Sequence, residues 1–419
     1  MLRIKYLKKL ENSLKNKKIT FLIGARQVGK TTLLKQLCKN LKNYAFLPCD
    51  EIALKEFESA ADLLNYFSLK NNINFSQIKY LILDEIQLVK NIALFLKDLN
   101  DNYHFKIFAS GSGSLSIFKG IAESLIGRKE IINVYPFSFA EFLQIHNKPV
   151  LSLKELTPNI IKIYHNLFLE YLKYGGYPEV ITTSDLKQKI SILSLMCKSY
   201  FQQDIYYYLK HGDLYAFEKF YKLIANSITS LQKFDALRQK IKVHVSKVKE
   251  FSFILKNTFI LDLLAPFVHS EKKEIKSHLK IYFNDIGIIN SIWNNFELIP
   301  ERKGKLIENY VLNELRKNKK DFQQLYFWRK KSQVEIDFVI NNLTNSKLIP
   351  IEVKAGSTDI IPQSFRSFWH DYKNKIDFFI VLNKDIYKKR QLENFKVIFM
   401  PYFYIGIFLS HLKESLINS

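Results

Sequence analysis

Residues 24 to 31, Gly-Ala-Arg-Gln-Val-Gly-Lys-Thr, have the spacing GxxxxGK[ST] and sit between an apolar run, Ile19 to Gly24, and an amphipathic stretch opening at Lys30. That pattern predicts a phosphate-binding loop. Backbone N–H groups can curl around a phosphate where glycine removes the side chain, and the start of a helix adds the positive end of its dipole. Lys30 is expected to neutralise the β- and γ-phosphate oxygens and the Thr31 hydroxyl to ligate Mg²⁺, with Gly24, Ala25, Arg26, Gln27, Val28, Gly29 and Thr32 completing the contacts to ATP. Downstream, Leu81-Ile82-Leu83-Asp84-Glu85 is an apolar run ending in two carboxylates. Behind a phosphate loop, Asp84 is expected to hold the Mg²⁺ water shell and Glu85 to orient the attacking water. Ser110, at the end of the next apolar run, is placed either to sense the γ-phosphate or simply to turn the chain. Arg128 reads as an arginine finger or as a paired surface side chain.

A second group of chemically able residues lies far downstream. Glu308 falls in an amphipathic helical pattern from Gly304 to Glu314, Asp337 in the run Glu335 to Ile340, and Glu352 and Lys354 in Pro350-Ile351-Glu352-Val353-Lys354. Strand alternation turns Glu352 and Lys354 to one face. Asp337 and Glu352 could then share Mg²⁺, with Glu308 completing the metal shell and Lys354 positioning or deprotonating a water for attack on phosphorus. The alternative is a salt-bridged surface cluster. Just before the Asp337 run, Trp328-Arg329-Lys330-Lys331 would supply phosphate contacts.

Between the two groups, residues 238 to 256 carry Arg238, Lys240, Lys242, Lys247, Lys249 and Lys256 against one acid, Glu250, interleaved with Ile241, Val243, Val245, Val248 and Phe251. This is either a nucleic-acid surface or a solvated basic face on a helical domain that packs against a partner subunit.

Periodicity supplies the elements that must hold these residues. The first 145 residues alternate short apolar runs with helical patterns, which reads as βαβ units around a parallel sheet. From Leu151 to about Leu209 the pattern is helical and aromatic, interrupted by Gly175-Gly176-Tyr177-Pro178, as in a lid or connector. Three amphipathic stretches follow from 216 to about 266, and mixed helices and strands return from 281 to 405. The expectation is a multidomain α/β protein with domains over 1–150, 151–215, 216–280 and 281–419.

Composition sets outer bounds. The 419 residues are 47% hydrophobic and 25% charged, enough to bury a core and unlike a disordered chain. Lys and Arg number 63 against 40 Asp and Glu, a formal charge of +23 that attracts phosphate polymers, although an AT-rich coding genome would also raise the lysine count. Cys38, Cys49 and Cys197 lie too far apart for a disulfide framework or a zinc site. The basic N-terminus lacks an apolar core, and no run of 18 apolar residues occurs, so the expected setting is cytoplasmic, with no membrane partner.

Phe21 to Thr32, LDEIQLV, the Ser-Gly-Ser turn, SLIGRKEI followed by YPFSFAEFL, and YGGYPEV together resemble a prokaryotic family of AAA-like P-loop ATPases. Members carry a C-terminal domain of unknown function that is similar to PD-(D/E)xK nucleases. The resemblance covers nearly the whole chain. It implies ATP binding at Gly29, Lys30, Thr31, Asp84 and Glu85, favours the finger role of Arg128, and makes 216–280 similar to a winged helix-turn-helix facing DNA. The expected fold is therefore a P-loop NTPase parallel sheet with a helical lid, a winged-helix-like segment and a PD-(D/E)xK-nuclease-like α/β domain. The expected function is a Mg²⁺-dependent ATPase whose nucleotide state controls a DNA-facing C-terminal half, with a nuclease in mobile-element or defence biology as its furthest extension and a homo-oligomer as its assembly. The alternative is a nucleotide-switched scaffold whose C-terminal half binds a protein without cleaving nucleic acid.

Overall fold

The computed structural model describes residues 3–52, 57–113, 125–199, 209, 212–268, 279–330 and 334–415. It divides into two compact units, Met1–Tyr135 with Asn257–Phe259, and Pro136–Lys256 with Ile260–Ser419.

In the first unit five parallel strands, β1 (Ile19–Gly24), β2 (Tyr44–Pro48), β3 (Tyr80–Asp84), β4 (Lys106–Ser112) and β5 (Lys129–Asn133), lie in the order β2-β3-β4-β1-β5. Every residue of β1 and β4 is buried, so neither strand alternates apolar with solvent-facing positions, and the polar Thr20, Lys106, Ser110 and Ser112 are buried with the rest. Phe21, Leu81, Leu83 and Ile107 of the sheet share a core with Leu63 and Phe67 of the helix Ala60–Asn71 and with Leu96 and Leu99 of the helix Ile92–Asn102. Parallel pairing sets Leu22 beside Ser110, Gly24 beside Ser112, and Pro48 beside Asp84, so the chemically able residues of three strands reach one edge. Ligands of open α/β sheets bind at that carboxyl edge.

The second unit opens with the helix Phe139–Ile145, a segment that the expected 1–150 domain would have placed in the first. Its packing explains the assignment: the Phe139 ring lies 5.8 Å from those of Phe168 and Tyr171 and 6.5 Å from that of Tyr310. Helices Pro158–Tyr174, Pro178–Thr182 and Leu186–Ser199 follow. Then come the helix Leu214–Asn226, β6 (Leu231–Gln232), helices Phe234–Ile241 and Val245–Asn257, β7 (Leu261–Leu264) and β8 (Leu279–Phe283), the strands forming an antiparallel sheet in the order β6-β8-β7. After helices Ile286–Ile292 and Pro300–Asn318, a mixed six-stranded sheet is built from β9 (Gln323–Arg329), β10 (Glu335–Asn342), β11 (Lys347–Val353), β12 (Phe379–Asn383), β13 (Lys388–Gln391) and β14 (Lys396–Pro401). Its order is β13-β14-β12-β11-β10-β9; β9 to β11 are an antiparallel meander, while the helix Gln363–Tyr372 crosses between the parallel strands β11 and β12.

One buried junction fixes this unit. The helix Pro158–Tyr174 stops at Gly175, whose φ of +75° suits glycine, and Gly176 N–H donates to Asp285 Oδ2 at 2.7 Å. Asp285 Oδ1 accepts from Ile288 N–H and so caps the helix Ile286–Ile292, while Asn290 Nδ2 donates to the carbonyls of Leu172 and Lys173 at 3.0 and 2.8 Å. The last carbonyls of one helix and the first amides of the other are thereby satisfied in the interior. A Cβ on Gly175 would lie 2.1 Å from Asp285 Oδ1. Gly175→Ala is therefore expected to cost about 2–4 kcal/mol, read as a lowered midpoint of thermal unfolding; an unchanged midpoint would show that the junction gives way freely.

Candidate functional site

At the carboxyl edge of the first sheet, β1 runs into the loop 24–29 and the helix Lys30–Cys38. Gly24 is required by a close approach: a Cβ there would stand 2.1 Å from the carbonyl oxygen of Val134. Gly29 is required by conformation, since it caps the helix at φ +92°. Lys30, buried, donates from Nζ to the carbonyls of Gly24 at 3.2 Å and Ala25 at 2.9 Å, positions from which phosphate oxygens can displace those acceptors. The first helical turn carries no acidic residue, so its N-terminal field is left positive. Thr31 is half-buried and Thr32 exposed; Ala25 and Val28 are buried, Arg26 half-buried and Gln27 exposed at φ +60°.

Asp84, at the end of β3, is buried and accepts a hydrogen bond from the Ser110 hydroxyl, which itself accepts from Glu85 N–H at 3.1 Å. The structure thus brings Ser110 to the acidic pair rather than leaving it as a plain turn. Glu85 stands at φ +55°, a left-handed conformation unusual for a side-chain-bearing residue, and its Oε2 accepts from Gln87 Nε2. Sequence reasoning missed Gln87. It also missed Arg3, buried in the N-terminal region, which donates from Nη1 to Val28 O of the phosphate loop at 3.1 Å and stacks 4.4 Å over the Tyr6 ring. Arg3 resembled any other residue of a basic leader, so no local signal marked it.

Arg128 is not brought to this edge. Its neighbour Lys129 pairs with Ile19 at the start of β1, about 17 Å of strand from Gly24 at roughly 3.3 Å per residue. Its guanidinium is paired with Asp101 at 3.1 Å. Within its own chain it cannot reach a phosphate held by the loop, which corrects the finger reading at that level.

The downstream carboxylates do converge, but around an ammonium. Lys280 on β8, 3% exposed, lies 3.2 Å from Glu308 Oε1, 2.5 Å from Glu335 Oε1 and 3.9 Å from Asp337 Oδ1. Tyr282, two residues along the same strand, donates to Glu308 Oε1 at 2.8 Å. Asp337 Oδ2 accepts from Val353 N–H at 2.8 Å, and Lys354 donates to Glu352 Oε1 at 2.7 Å. Glu352 Oε2 is buried without a partner. Burial, reinforced by the Asp337 charge, pushes Glu308 up to about 7 and Glu352 up to about 8. Burial alone would lower Lys280, yet the surrounding carboxylates outweigh it and raise the group above the ordinary lysine value.

Among the described residues no group of three or more His, Cys, Asp and Glu is arranged to hold a metal ion. The set Glu308, Asp337 and Glu352 therefore does not fit Mg²⁺ as it stands. The signal that sequence reasoning passed over is the period-2 pairing of Lys280 and Tyr282 in an otherwise apolar strand.

In the basic segment, Lys247 is tied to Asp213 at 2.6 Å and Glu250 at 3.0 Å, and Arg238 to Asp235 at 3.0 Å. Lys240, Lys242, Lys249 and Lys256 are exposed. Arg329 and Lys330 pair with Glu335 and Asp371, and Lys331 lies outside the described residues.

Residues 16–143 match a family described as an AAA domain, and residues 165–298 and 303–403 match two domains of unknown function (DUF8612 and DUF4143). An uncharacterized protein of Methanocaldococcus jannaschii is 28% identical over 350 residues, 82% of this chain and 76% of that protein. A second from the same organism is 26% identical over 338 residues, covering 74% and 70%, and one from Haemophilus influenzae is 25% identical over 286, covering 64% and 68%. A solved Walker-type ATPase of Pyrococcus abyssi aligns with 70% of this chain and 95% of its own at 14% identity, with a TM-score of 0.47. The AAA-domain match spans Gly24 to Arg128 and supports a P-loop ATPase with nucleotide binding. The C-terminal match carries no known activity. No helix among the described residues is long and apolar enough to cross a membrane.

The left-handed backbone at Glu85 costs about 1 kcal/mol that glycine would not incur. Glu85→Gly is expected to leave the unfolding midpoint unchanged or raised while ATP hydrolysis is lost, a split that calorimetry and phosphate release together detect. A lowered midpoint would mean that the Gln87 contact, not the chemistry, holds the residue in place.

Proposed function

We propose that this chain is a Mg²⁺-dependent ATPase whose nucleotide state controls a DNA-facing C-terminal half. The observation that carries the reading is the meeting of Lys30, Asp84, Ser110 and Glu85 at one sheet edge beneath a helix N-terminus. In this reading Lys30 exchanges the carbonyls of Gly24 and Ala25 for β/γ-phosphate oxygens, and the loop amides close on the β-phosphate. Glu85, aimed by its left-handed backbone, orients the attacking water, and the Ser110 hydroxyl keeps the Asp84 carboxylate turned toward the loop. Mg²⁺, held by Thr31 and Asp84, would supply neutralisation of the phosphate charge. Arg128 serves only a nucleotide held by a neighbouring copy, which ties its finger role to a homo-oligomer.

The DNA-facing reading rests on the order helix, β6, helix, helix, β7, β8, which is that of a winged helix, and on the exposed Lys240, Lys242, Lys249 and Lys256. Cleavage is not part of the proposal, because Lys280 lies among the carboxylates that cleavage would need for metal. The same observation favours a second reading, a nucleotide-switched scaffold whose C-terminal half binds a protein.

Lys30→Ala should weaken ATP binding, whereas Glu85→Gln should retain bound ATP and slow hydrolysis by at least about 100-fold, measured by equilibrium binding and single turnover. Wild-type turnover in Glu85→Gln would remove that residue from the chemistry. For DNA, replacing Lys242, Lys249 and Lys256 together should reduce the slope of log affinity against log salt by up to about 3 × 0.9. An unchanged slope would move the chain to the scaffold reading.

A further inference from the structure

We infer that Lys280 is the resident cation of the C-terminal carboxylate cluster, occupying with its ammonium the place in which the sequence alone puts a divalent ion, so that the folded chain does not take up Mg²⁺ there. The inference goes beyond the ATPase reading and does not rest on it.

Three carboxylates from two elements, Glu308 of the helix Pro300–Asn318 and Glu335 and Asp337 of β10, surround one Nζ at 3.2, 2.5 and 3.9 Å. An ammonium has three N–H donors and no acceptor; here Glu308 and Glu335 lie within hydrogen-bond reach, and Asp337 adds its charge at longer range. Glu335 belongs to this arrangement although it was not among the residues expected to hold metal. One oxygen of each expected metal ligand is engaged by another group: Glu308 Oε1 by Tyr282, Asp337 Oδ2 by Val353 N–H, Glu352 Oε1 by Lys354.

Lys280 is also hard to move. Its backbone pairs with Leu231 of β6 on one side and Leu264 of β7 on the other, so β8 is a central strand. An incoming ion would have to pull a 3% exposed ammonium away from all its partners and leave a buried charge unpaired. Charge balance agrees. Glu308, Glu335, Asp337 and Glu352 are met by Lys280, Lys354 and Arg329; removal of Lys280 leaves four carboxylates against two cations, a deficit suited to a divalent ion, and Glu352 Oε2, buried and unpartnered, is an oxygen ready to join it. The cation that neutralises the nuclease-like cluster is thus contributed by the neighbouring three-stranded sheet.

The test is Mn²⁺ binding to the nucleotide-free full chain, followed by calorimetry and by the electron paramagnetic resonance signal of free Mn²⁺. Wild type should take up none in a manner that depends on Asp337, and Lys280→Arg should behave likewise. Lys280→Met should bind about one Mn²⁺ per chain at least tenfold more tightly than wild type, and Lys280→Met/Asp337→Asn should lose it. Wild-type uptake that Asp337→Asn abolishes overturns the inference, as does a folded Lys280→Met that binds nothing. Should Lys280→Met fail to fold, acetylation of native wild type read by mass spectrometry decides: Lys280 protected, with and without Mn²⁺, supports the assignment, and a reactive Lys280 in either condition overturns it.

Discussion

A lysine removed from water has to be met by an anion or by carbonyl oxygens, and this chain meets that demand repeatedly in its interior. Lys106 rests on Asn16, the Lys18 carbonyl and Thr20, burial pulling its ammonium down to about 8. Lys189 is paired with Glu170 at 2.9 Å, and Lys317 meets Glu314 at 3.2 Å and the Phe137 carbonyl at 3.0 Å. Lys30 and Lys280 are the instructive pair. Lys30 holds loop carbonyls that an anion can replace, whereas Lys280 is already surrounded by carboxylates. The first arrangement invites a phosphate and the second is complete, so the two clusters of able residues, alike on paper, have opposite electrostatic needs.

Much of the geometry of the loop 24–31 and of the acidic pair was legible because its requirements are local. Glycine at φ +92° behind a buried strand, a lysine opening the helix and an acidic pair ending another strand are each imposed within a few residues. Ser110 was ambiguous until parallel pairing set it one strand away from Asp84 and its hydroxyl found the carboxylate. Arg128 shows what spacing withholds: a residue just before a strand lies at the far edge of a parallel sheet from one just after it, and only register tells the two apart. The packing of the helix Phe139–Ile145 was illegible for another reason. Phe139 and Phe142 look like any amphipathic helix in sequence, and only the aromatic partners waiting at Phe168, Tyr171 and Tyr310 decide which unit they join.

The carboxylate cluster was half legible. Strand alternation and helix pattern correctly suggested that Glu308, Asp337 and Glu352 approach one another, since Asp337 bonds the amide of Val353 beside Glu352 and shares Lys280 with Glu308. What the spacing could not carry was the counter-charge, which arrives from a different sheet. A strand such as Leu279–Phe283 reads as core, and one lysine within it reads as an edge position until the acids opposite are known.

The position of Lys280, one residue upstream of the expected 281–419 domain, bears on how the protein can be divided. A fragment beginning at residue 281 leaves Lys280 behind and presents Glu308, Glu335, Asp337 and Glu352 with Lys354 alone of the two lysines. Such a fragment is a different electrostatic object from the chain it came from: it would draw protons or divalent ions from its buffer to fill the gap. It also cuts into β8 and leaves behind both strands that β8 pairs with, β6 and β7. Metal uptake or cleavage seen with a truncated C-terminal piece would report on the cut, and homologous segments are best excised upstream of β6 so that the strand and its lysine travel together.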